Sequence, residues 1–232
     1  MPRRDVPQEV AAIRTAIEQC LNGKDTHGRK IGDAKFGIYA FYDYDGEPIY
    51  VGQTQEKLRV RIRRHLTNQR TDAVAMNVLD PFEVLDIEMW PLWSLDDHSL
   101  TKTAKLEELN QAEYTVYRMV LKQSALGAVL NEKDIVPTSP ITLPPSIRCR
   151  IVPQSVYDLR KHPDIRIARR ASTIANLARV ISERAVSSGL RRTLLTQARR
   201  LERLARQRMQ EGGEEFDFEE MGEETGEDVD VS

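Results

Sequence analysis

Cysteine is almost missing from this chain: Cys20 and Cys149 are the only two in 232 residues, and neither has a Cys-x-x-Cys companion. That excludes a disulfide-dense secreted scaffold and a cysteine-built zinc site, and it leads us to expect two separate, reduced thiols. No stretch approaches the roughly 20 apolar residues that span a bilayer, and the opening Met-Pro-Arg-Arg-Asp-Val-Pro lacks the apolar core of a signal peptide. The expected setting is cytoplasmic, with no membrane. The sequence also lacks a Walker glycine loop, a His-Glu-x-x-His and a Gly-x-Ser-x-Gly, which removes several large enzyme classes. Of the four histidines, His27, His98 and His162 stand without a partner at ligand spacing.

What is abundant is arginine, and it is unevenly placed. The formal charge is only −2. Residues 148–210 nevertheless hold sixteen Arg or Lys against four Asp or Glu, a local net of +12, while 211–232 hold eleven acids and no base. A basic segment of this kind is the electrostatic footprint of a polyanion binder, and DNA is the expected partner. The acidic tail has no apolar periodicity and is expected to be disordered.

The coarse organisation follows from periodicity. Val10, Ile13, Ile17 and Leu21 form a helical stripe, so residues 1–35 read as an N-terminal helix and loop. Residues 36–53 read as a β-hairpin around Asp45-Gly46. A basic amphipathic helix follows at 55–68 (Leu58, Ile62, Leu66), then a strand within 81–93 and a helix over 102–123. This β-β-α-β-α order predicts an α+β layer over 36–131, a small three-stranded antiparallel sheet flanked by helices. Four prolines within 132–147 mark a linker. Beyond it, 148–210 reads as a basic helical region, with helices at about 153–161, 165–187 and 190–209 breaking at Ser187-Ser188-Gly189. Its apolar stripes suit either a DNA-docking helical pair or the interface of a homodimer.

The hairpin carries Gly37-Ile38-Tyr39 and Tyr50-Val51-Gly52. A hairpin does not require two tyrosines there, and the pair resembles the signature of the GIY-YIG nuclease superfamily. Arg61 and His65 lie four residues apart on the next helix, hence on one face, and the family similarly places a histidine or tyrosine four residues after an arginine. Arg63 and Arg64 have the wrong offset from His65. The resemblance implies a metal-dependent DNA endonuclease in which Tyr39, Tyr50, Arg61, His65, Glu113 and Asn131 form the catalytic set. Glu113 would hold a single divalent ion, Mg2+ or Mn2+, with Glu107 and Glu108 as competitors for that role. Asn131 would support the site by hydrogen bonding. Gln53 departs from the lysine or serine often found after the second motif, which leaves Tyr39 as the expected base. Arg63, Arg64 and the doublets Arg169-Arg170, Arg191-Arg192 and Arg199-Arg200 are the expected DNA contacts. A stand-alone restriction-type or mobile-element enzyme fits the compact layout best. A structure-specific repair nuclease and a catalytically inactive DNA-binding scaffold are the rivals.

Overall fold

A computed structural model describes residues 7–66, 80–131, 134–183, 185–186 and 188–212. Six α-helices and one sheet make up the described chain: α1 (Gln8–Leu21), β1 (Gly37–Tyr42), β2 (Pro48–Thr54), α2 (Leu58–Leu66), β3 (Asp86–Pro91), α3 (Lys102–Gln123), β4 (Ile147–Arg150), α4 (Gln154–Arg160), α5 (Pro163–Glu183) and α6 (Ser188–Glu211). The acidic tail beyond Gly212 and the break residue Ser187 lie outside the described residues.

The sheet is antiparallel throughout, in the order β2-β1-β3-β4. Every residue of β1 is buried, as expected of a central strand covered on both faces. Its alternation sends Ile38, Ala40 and Tyr42 to one side, against Leu109, Ala112, Val116 and Val120 of α3. Tyr39 and Phe41 go to the other side, where Ile17 and Leu21 of α1, Leu58 and Ile62 of α2, and Leu177 and Leu190 of the C-terminal helices close the core. Thr101 caps α3 by accepting a hydrogen bond from Ala104 N–H.

Two expectations fail, each for a physical reason. The sheet has four strands rather than three: β4 pairs with β3 from Asp86↔Arg150 to Met89↔Ile147. Its side chains alternate between half-buried Ile147 and Cys149 and exposed Arg148 and Arg150, so its polar half reads as part of a basic region. The cysteines are not separate thiols. β4 brings Cys149 beside Cys20 of α1, and the two are joined as a disulfide with Cα atoms 6.0 Å apart across 129 residues of sequence.

The β1–β2 turn organises more than the hairpin. Gly46 takes φ +73°, and Asp43 Oδ1 accepts hydrogen bonds from the N–H groups of Asp45 and Glu47. The other carboxylate oxygen of Asp43 accepts from Arg170 (3.0 Å) and Arg200 (2.7 Å), while Arg166 makes a two-bonded pair with Asp45. Arg170 also reaches Glu83 at 3.0 Å and the Arg200 carbonyl at 2.9 Å. The antiparallel α5–α6 pair is thus pinned by three buried arginines to the tip of the hairpin. Residues 134–146 form no regular element, yet Ile135, Ile141 and Leu143 pack beside α3, and Ile141 N–H donates to Thr115 Oγ1.

Candidate active site around the edge strand

The hairpin and α2 bring four of the expected residues together. Tyr39, on the central strand, is fully buried. Its hydroxyl accepts from Arg61 Nε at 3.2 Å and lies 3.1 Å from His65 Nε2. Beside it stands Tyr50, whose ring stacks on Tyr39 with centroids 6.1 Å apart. His65 is itself only 3 % exposed, with its ring centroid 5.2 Å from that of Tyr50. Gly52 makes the cluster fit: a Cβ there would come within 2.6 Å of the Tyr39 hydroxyl and 2.8 Å of the Tyr50 ring. The second motif ends in glycine because the side chain of Tyr39, its cross-strand partner, fills that space.

Burial and the neighbouring Tyr50 hydroxyl push the Tyr39 phenol well above its ordinary value, and Arg61 offsets them only in part. This works against Tyr39 as a free base facing water. Tyr50 is half-buried and is the tyrosine of the pair that reaches the surface.

Arg61 is set apart from its neighbours on α2. Arg59 pairs with Asp33, Arg63 with Glu18 and Arg64 with Glu56. Among the described residues Arg61 makes no ion pair with a carboxylate.

Glu113 reaches the same place from the other face of the sheet. α3 packs on β1 and β2 opposite Tyr39, and its Glu113 stands at the β2 edge. There the backbone N–H and side-chain amide of Gln53 and the charge of Arg61 all favour its ionised form. Desolvation outweighs these and raises it to about 7. Glu107 is exposed, and Glu108 accepts from Ser94 Oγ, so neither competes for this position. Asn131 also serves the edge: its Oδ1 accepts from Val51 N–H at 3.2 Å and its Nδ2 donates to the Val51 carbonyl at 2.7 Å. Together with Leu130 N–H on the Ile49 carbonyl, these bonds seal the outward groups of β2 as a fifth strand would.

The described residues contain no group of three or more His, Cys, Asp or Glu able to hold a metal. The Glu113 carboxylate is an oxygen donor for a hard ion that keeps most of its water, and it does not suit zinc. Sequence reasoning noted Gln53 only as a departure and missed Asn110, although Asn110 stands one turn before Glu113 on the same helical face.

The expected DNA contacts divide. Arg170 and Arg200 are each 4 % exposed and bound to Asp43, Arg170 to Glu83 as well, so they are removed from that set. Arg169 pairs with Asp80 and lies over the Phe82 ring. Arg191 and Arg199 are exposed with no acid partner among the described residues, and exposed Arg192 pairs with Asp134. Thr193 bonds the Asn131 carbonyl, so the start of α6 borders the β2 edge.

Residues 35–99 match the family model described as the GIY-YIG catalytic domain. The match is confined to that segment, for which it supports the GIY-YIG nuclease superfamily. The matched segment includes Tyr39, Tyr50, Arg61 and His65 and ends before Glu113 and Asn131. No curated protein and no solved structure matches the chain. No helix among the described residues is long and apolar enough to cross a membrane.

Proposed function

We propose that this protein is a divalent-metal-dependent DNA endonuclease acting as a stand-alone restriction-type or mobile-element enzyme. The observation that carries the reading is Arg61: an arginine with no acid partner among the described residues, hydrogen-bonded to Tyr39 on one face of the edge strand and facing Glu113 on the other. A scissile phosphate placed there meets a fixed cation, two phenols and a carboxylate.

In the proposed reaction, water attacks phosphorus, the bond to the leaving oxygen breaks with its electron pair, and that oxygen takes a proton from solvent water. Tyr50 orients that water and takes its proton, passing its own to Tyr39, which passes one to His65 Nε2. The relay requires neutral His65 with its proton on Nδ1. Tyr39 never stands as an isolated phenolate, which its raised pKa disfavours. Arg61 stabilises the charge that develops on the phosphate oxygens. Glu113, with water and phosphate, would hold Mg2+ or Mn2+, which supplies Lewis-acid stabilisation of the same charge. Arg192 and Arg199, seven residues apart and so on one face of α6, extend a positive track from the β2 edge. Arg191, Arg63, Arg64 and Arg169 complete the proposed contacts.

The test is incubation of the purified chain with supercoiled plasmid, linear duplex and branched oligonucleotides, with Mg2+ or Mn2+. Discrete fragments from duplex DNA support the reading. Cutting confined to branched substrates replaces it with structure-specific repair, and binding without cleavage under any ion replaces it with an inactive scaffold.

A further inference from the structure

Glu113 projects from α3, which covers the face of the sheet opposite Tyr39 and His65, so its carboxylate must be held around the β2 edge. An edge strand leaves outward-facing N–H groups without a strand partner. The one on Gln53 and the Gln53 side-chain amide both lie beside the Glu113 carboxyl and favour its ionised form. Gln53 is fixed in turn by α3, because its Nε2 donates to Asn110 Oδ1 at 2.9 Å. Asn110 and Glu113 are three residues apart, so α3 supplies both the carboxylate and the anchor of the residue that aims it. The Gln53 Oε1 atom is buried with no hydrogen-bond partner, so the amide is oriented through its donor end alone.

We infer that Gln53 and Asn110 are a positioning pair that sets the Glu113 carboxylate for a hard divalent cation. The inference rests on the nuclease reading above and adds to it the residues that control metal uptake. A neutral amide suits this task. Its donors favour and orient the ionised carboxylate while bringing no positive charge to compete with the cation, and the carboxylate keeps lone pairs free for the ion.

The experiment measures Mn2+ uptake by the full-length chain, from the loss of the free-ion EPR signal, with an uncleavable phosphorothioate duplex present. Gln53→Ala and Asn110→Leu are expected to weaken Mn2+ binding about tenfold, as loss of a ligand-orienting partner does elsewhere. The half-saturating ion concentration for cleavage should rise by the same factor, with unchanged affinity for DNA. The double variant should lose no more than Gln53→Ala alone, since both changes break one chain of bonds. Asn110→Asp keeps the acceptor for Gln53 and should bind Mn2+ at least as well as the wild type, which separates positioning from general damage to α3. Wild-type uptake matched by Gln53→Ala, or equal loss in Asn110→Asp and Asn110→Leu, overturns the pair. A wild-type chain that takes up no Mn2+ overturns the metal-dependent reading on which the pair rests.

Discussion

The Tyr39 hydroxyl and His65 Nε2 lie 3.1 Å apart in a space closed to solvent, and Arg61 donates to the same hydroxyl from one turn earlier on α2. The Tyr39 oxygen accepts from Arg61 and can donate to His65 Nε2, with the Tyr50 side chain beside it. The buried tyrosine is therefore a junction between the surface phenol and the imidazole.

Removing only that junction should be severe for chemistry and mild for binding. Tyr39→Phe keeps the ring packing against Phe41 and Tyr50, so DNA affinity should stay within about twofold, while kcat falls about 100-fold or more, the scale of a lost proton-transfer partner. Single-turnover cleavage and a gel-shift titration on the same preparation check both. A fall in affinity with kcat intact would contradict the relay.

Gly52 offers a backbone test of the same geometry. A single methyl added there meets the Tyr39 hydroxyl at 2.6 Å, a separation that forces both tyrosines to shift. Gly52→Ala should destabilise the fold by about 1–3 kcal/mol, the usual cost of overpacking a filled core, and should abolish cleavage. Urea unfolding together with the plasmid assay measures both effects.

The arginines of the C-terminal helices should separate into two phenotypes. Removing Arg170 or Arg200 takes one of its two hydrogen-bonded guanidinium partners from the buried carboxylate of Asp43, so Arg170→Ala or Arg200→Ala should cost about 1–3 kcal/mol of stability. Arg191→Ala and Arg199→Ala should leave stability within about 0.5 kcal/mol, as exposed substitutions do. Each should instead lower the slope of log affinity against log salt by about one phosphate contact. Unfolding curves and salt-dependent DNA titrations decide between these outcomes.

That division marks the limit of what the sequence discloses. α3 was legible over its full 102–123 span because its apolar residues recur at helical spacing, and Arg61 with His65 was legible because four residues make one turn. The doublets Arg169-Arg170 and Arg199-Arg200 look alike as sequence. What distinguishes Arg170 and Arg200 is Asp43, 127 and 157 residues away, and no local pattern encodes a partner at that distance. The Cys20–Cys149 pairing and β4 were hidden for the same reason, since both depend on the sheet that forms between them. Gln53 was visible only as an absent lysine until β2 proved to be an edge strand with Glu113 on its outward side.

The raised carboxyl of Glu113 gives the fold a pH signature that the metal should reverse. Its value moves from 4.5 in the unfolded chain to about 7 in the folded one. For a group raised on folding, the folded state binds more protons between those values, so stability falls as pH rises from about 4.5 through 7. The full stabilising effect is present below 4.5 and gone above about 7. Glu113→Gln removes the ionisable group, so it should match wild-type stability near pH 4 and exceed it at pH 8. We expect a gain of about 1–2 kcal/mol once the partial exposure of the site is allowed for. Mg2+ binds the ionised folded form, so at pH 8 it should raise the melting temperature of the wild type and leave Glu113→Gln unmoved. Below pH 7 the proton competes with the ion, and the Mg2+ needed for half-maximal cleavage should rise about tenfold per pH unit. Thermal melts at pH 4 and pH 8, with and without Mg2+, test the first two statements, and cleavage titrations from pH 6 to 8 test the third. A wild type whose stability does not fall between pH 4.5 and 7 relative to Glu113→Gln would show that this carboxyl is not the buried, desolvated group at the β2 edge.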